Sequence, residues 1–121
     1  MPYEITQIDP AIVAVIHTGD ASAREAAAAR ADVAEMMAAH GIRLLLADIR
    51  RAHISAELFN LYEFNASHYD VLPVGTKIAT VASPDSLDET LMAFSETVAL
   101  NRGILFRLFF DYDESLTWLR A

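Results

Sequence analysis

Cysteine is absent from the 121 residues, so the chain has no disulfide framework, no thiolate nucleophile and no thiolate metal ligand. Lysine is almost absent as well. Lys77 stands alone beside eight arginines, and 17 acidic residues bring the net charge to −8. A field of that sign repels phosphate backbones and anionic membrane surfaces, which argues against a nucleic-acid partner. No apolar run approaches the roughly 18 residues of a spanning helix, so no membrane insertion is expected. Met1-Pro2-Tyr3-Glu4 has neither the basic start nor the apolar stretch of a signal peptide, and a cytoplasmic location is expected. Repeats, low-complexity tracts and linkers are missing too, which leaves residues 1–121 as a single domain. Against these absences, 54% of residues are apolar, enough for one real core.

Tyr3 to Ile8 reads as a short strand, and Asp9-Pro10 as a turn, because proline presets φ and lacks a ladder donor. The run Ala11-Ile12-Val13-Ala14-Val15-Ile16-His17 has the continuous β-branched character of a buried central strand. The two strands should pair as an antiparallel hairpin. Ser22 with Glu25 is a capping box, and Gly41 a helix-ending residue; Ala29, Val33, Met36 and Met37 lie at helical spacing between them. A strand follows from Ile42 to Asp48, then a helix from Ser55 to about Asn65, then a loop at Asp70 to Gly75. Lys77 to Ala82 is the next strand. Ser86 and Glu89 open a helix carrying Leu87, Leu91, Phe94 and Val98, which Gly103 ends. Ile104 to Phe110 is the last strand, and Asp111 with Glu114 caps a terminal helix held by Leu116 and Leu119.

Strands and helices alternating on such short links imply an α/β fold with parallel strands and right-handed crossovers. The expectation is a five-stranded, mostly parallel sheet in sequential order, its antiparallel first strand at the edge and the helices on one face. The open face would then present Val15, Leu45, Val81 and Phe109 among Arg43, Lys77 and Arg107.

The strand Lys77 to Val81 resembles that of the SpoIIAA-like family, relatives of the STAS domain. So do Glu96-Thr97-Val98-Ala99 leading to Asn101-Arg102-Gly103, and the ending Phe110 to Leu119 with its Trp118-Leu119. The resemblance covers nearly the whole chain. It implies a four-turn β-α superhelix, shared with CRAL-TRIO lipid carriers, and a protein-interaction module. In the anti-anti-sigma members a serine is phosphorylated in an Asp-Ser-Ser-Gly-like turn after the third strand. The matching segment here is Ile54-Ser55-Ala56-Glu57, which keeps one serine and lacks the aspartate and the glycine.

Arg50-Arg51-Ala52-His53-Ile54-Ser55 is the one basic cluster, placed where open α/β sheets hold ligands and where a helix N-terminus favours an anion. Arg50, Arg51, His53 and Ser55 are therefore the candidate switch or anion site; the alternative is that Ser55 is only a helix cap and the arginines pair with surface acids. Phe59, Tyr62, Phe64 and Tyr69 exceed what one helix face can bury, so together with Phe109 they are candidates for an interface or a ligand. The histidines His17, His40, His53 and His68 lack ligand spacing, so no metal is expected, nor any other cofactor. His17 near Ser55 is a weak base–nucleophile pairing without an elbow or an orienting acid. The function expected is a non-enzymatic binding or regulatory module acting on a protein partner or on itself as a homodimer. A carrier of a small apolar or amphipathic ligand is the alternative, and an enzyme the third reading.

Overall fold

The computed structural model describes residues 3–21, 23–54, 75–83 and 105–121. Its elements there are β1 (Tyr3–Asp9), β2 (Ile12–Ala21), α1 (Ala23–His40), β3 (Leu44–Ile54), β4 (Lys77–Val81), β5 (Leu105–Phe109) and α2 (Tyr112–Arg120). Ser22 and the expected helices from Ser55 and Ser86, with Phe94 and Val98, lie outside the described residues. Among the described residues no helix is long and apolar enough to cross a membrane.

The strands form one sheet in the expected sequential order β1-β2-β3-β4-β5, with β1 antiparallel to β2 and the other pairs parallel. The Asp9-Pro10 turn closes locally, the Asp9 carboxylate accepting the Ala11 N–H at 2.7 Å. At the other end of the first β-α unit, Gly41 takes φ +66°, which only glycine adopts without strain. That lets Ile42 N–H reach back to the Met37 carbonyl at 2.9 Å, so that α1 ends with both apolar side chains buried.

Four consecutive residues of β2, Ile12 to Val15, are at most 5% exposed. Alternation sends Val13 and Val15 to one face, where Leu45 and Ile78 join them under Ala29, Val33 and Met37 of α1. Ile12 and Ala14 point to the other face, with Leu46, Ala79, Val81 and Phe109 beneath Leu119 of α2. The helices therefore cover both faces, contrary to the expectation that all would lie on one. A right-handed crossover in a sequential sheet keeps to one side. Helix α2 follows the last strand, belongs to no crossover, and folds onto the opposite face.

The expected open face is corrected with it. Val15 and Leu45 lie under α1, whereas Val81 and Phe109 lie under α2 with Lys77 and Arg107 in their own strands. Arg43 precedes β3 rather than belonging to it.

Helix α2 begins on its expected cap, Asp111 accepting the Glu114 N–H at 3.0 Å. Its far end is tied down by three contacts. Lys77 Nζ donates to the Trp118 carbonyl and lies 4.4 Å from that indole's centroid. Arg120 pairs with Asp9 at 3.0 Å, which joins the helix end to the β1–β2 turn. Cations suit this end because the helix dipole is negative there. Leu119 is 2% exposed at the centre of the contact. Replacing it with alanine should lower stability by about 2–5 kcal/mol in urea unfolding; a loss under about 1 kcal/mol would place α2 off the sheet.

Candidate functional site

Strand β3 does not stop at Asp48, as the sequence reading had it, but runs on to Ile54. Its pairing with β4 ends at Asp48–Val81, while pairing with β2 continues from Thr18–Arg51 to Ala21–Ile54. Between Ile16–Asp48 and Thr18–Arg51, β3 uses one residue more than β2, which makes a bulge. The extra residue breaks the two-residue period. Arg50 and Arg51 are both exposed, between a buried Ile49 and a buried Ala52.

Asp48 holds the bulge in shape. Its side chain is 10% exposed and accepts the Arg50 backbone N–H at 3.1 Å. It also accepts both ends of the Arg50 guanidinium, Nε at 3.0 Å and Nη2 at 2.8 Å. The guanidinium in turn lies 5.0 Å from the centroid of Tyr112, the first residue of α2. Ser83, just beyond β4, donates from its hydroxyl to the Arg50 carbonyl at 3.4 Å. Burial alone raises the Asp48 carboxyl, but the hydrogen bonds from Arg50 and the charges of Arg50 and Arg51 outweigh it and hold the group below its ordinary 3.8.

Of the basic residues singled out in the sequence, the structure thus commits Arg50 to a folded contact and leaves Arg51 and His53 exposed farther along the same strand. Ser55, Phe59, Tyr62, Phe64 and Tyr69 lie outside the described residues. Phe109 is in register with Asp48 through Val81, is 9% exposed, and packs against Trp118 with ring centroids 5.6 Å apart. It is part of the core under α2, and its outer rim lines a shallow groove of about 420 Å³ between β5 and α2. His17 is half-buried in β2 beside Tyr3, ring centroids 6.1 Å apart. Burial lowers its pKa, with the Glu25 charge opposing. Among the described residues no group of His, Asp and Glu side chains is arranged to hold a metal.

Asp48, Ser83 and Tyr112 escaped the sequence reading. The available signal was the pattern Ile49-Arg50-Arg51-Ala52, in which two adjacent charges inside an alternating strand mark a bulge.

Neither a family model nor a curated protein matches the chain. Solved structures do. An anti-sigma factor antagonist from Mycobacterium paratuberculosis superposes with a TM-score of 0.68 at 17% identity, over 98% of this chain and 93% of that one. The anti-sigma factor antagonist SpoIIAA in its unphosphorylated form gives a TM-score of 0.61 at 9% identity, over 98% of each chain. The chain has a SpoIIAA-like, STAS-type fold.

The pKa shifts carry signs that can be checked. A carboxyl held below its unfolded value stabilises the fold at neutral pH, and that contribution is lost as pH falls through the lowered value. Asp48→Asn should therefore be less stable than the wild type at pH 7, with the gap narrowing on acidification below 3.8. Urea titrations at several pH values would show it; a constant gap would mean that the Asp48 charge contributes nothing. His17 should titrate below 6.5 by NMR.

Proposed function

We propose that the chain is a non-enzymatic regulatory module that binds a protein partner through the projecting end of β3, with Ser55 as its modifiable switch residue. The observation that carries this reading is the extension of β3 beyond β4, which presents Arg51 and His53 on the surface and leads directly into Ser55. The fold of anti-sigma factor antagonists supports it. Arg50, tied to Asp48, braces the segment, and Arg51 and His53 meet the partner. An acidic protein gains a contrasting positive spot there, which suits a partner that presents carboxylates. Phosphorylation of Ser55 would set about two negative charges beside these cations and change what they attract. In this reading the module is cytoplasmic and uses no cofactor. The described residues lend no specific support to a ligand carrier or an enzyme.

Affinity purification from the native cell with quantitative mass spectrometry tests the reading. A partner should be enriched by the wild type and by Glu35→Arg on the exposed face of α1, and lost with Arg51→Glu and with Ser55→Glu, all variants keeping wild-type thermal stability. Equal enrichment by every variant would overturn it.

A further inference from the structure

The groove between β5 and α2 is a strip of sheet face that α2 leaves uncovered. Its strand wall is Arg107 and Phe109. Its helix wall is Glu114, Thr117, Trp118 and Ala121, which recur at the three- and four-residue spacing of one helix face. Leu105 shares the parity of Arg107 and Phe109 and so extends the strand wall. At 50% it is the most exposed large apolar side chain among the described residues. The two walls carry opposite charge, Arg107 on the strand and Asp113 with Glu114 on the helix. All three are exposed, and the ion pairs among the described residues use none of them. Arg107 lies instead 5.4 Å from the centroid of Phe109.

We propose that this groove docks an amphipathic helix of a protein partner. Its apolar ridge rests on Trp118, Phe109 and Leu105, its acidic flank faces Arg107, and its basic flank faces Asp113 and Glu114. The form of the occupant follows from the walls, which are built of side chains. An extended peptide laid there would leave its backbone groups without a ladder, whereas a helix satisfies its own. A small molecule would keep much of its surface in water in so shallow a groove. The nine residues of α2 span about 13 Å, so the groove takes about two and a half turns of a partner helix. The mixed charge of the occupant follows in the same way. A helix with flanks of one sign would bring like charges to one wall. A second copy of this chain is the competing occupant. The surface uses none of Arg51, His53 and Ser55, so it stands or falls independently of the switch reading.

Trp118 is the sole tryptophan, and its fluorescence reports on the groove directly. The probe is a stapled, tryptophan-free helical peptide of about 12 residues, with a leucine ridge, glutamates along one flank and lysines along the other. Titrated into the full chain, it should shift the Trp118 emission to the blue and saturate. Peptides with lysines on both flanks, or glutamates on both, should bind about fivefold more weakly. Thr117→Arg should abolish the shift with an unchanged circular-dichroism spectrum. Arg107→Glu makes both walls acidic and should transfer the preference to the all-lysine peptide. No saturable shift with the mixed peptide would overturn the proposal. So would an all-lysine peptide that binds the wild type as well, since net charge alone would then act. An emission that moves with protein concentration and no peptide would make a second copy the occupant, and would overturn it too.

Discussion

Ile12, Val13, Ala14 and Val15 are consecutive in β2 and all buried, so their alternating side chains require an apolar cover on each face of the sheet. Helix α1 supplies one and α2 the other. The first contact uses small residues, Ala29 and Val33 approaching Val13 and Val15 closely. The second rests on Leu119 and the Phe109–Trp118 pair. Removing either helix from its place would open a strongly apolar sheet to water, at a cost of about 25 cal/mol per Å² of apolar surface.

Helix α2 runs from the carboxyl ends of the parallel strands back to the β1–β2 turn, and polar contacts tie both of its ends. Tyr112 stacks near Arg50 at one end, while Lys77 and Arg120 engage the helix and Asp9 at the other. The exposed Arg120–Asp9 pair contributes little energy alone. Its effect is geometric, since it sets where a nine-residue helix lies across five strands.

That placement gives the β3 bulge its rigidity. Asp48 sits at the level where β4 ends, and its carboxylate replaces a lost ladder partner by accepting Arg50's backbone and side chain together. A buried carboxylate without that guanidinium would be costly. The bulge therefore depends on an ion pair, and what projects beyond it is basic because the arginine tied to Asp48 is followed by a second exposed arginine. At the sheet's far end, by contrast, Leu105 and Phe110 expose large apolar side chains.

Much of this was readable from the residues. Asp9-Pro10, Gly41 and the Asp111–Glu114 cap act through local φ preferences and hydrogen bonds within a few residues, so their roles follow from the order of amino acids. Strand order followed from short links and the handedness of crossovers. The basic segment was legible as a cluster, but the division of labour within it was not. Whether Arg50 turns to Asp48 depends on a bulge that exists only because β2 continues alongside β3. Tertiary structure alone also decided which face each strand residue occupies relative to residues of other strands, since parity is set within a strand but register between strands. Only the fold could put Val15 beneath α1 and Phe109 beneath α2, because a helix after the last strand is bound by no crossover and settles on whichever apolar face is left uncovered.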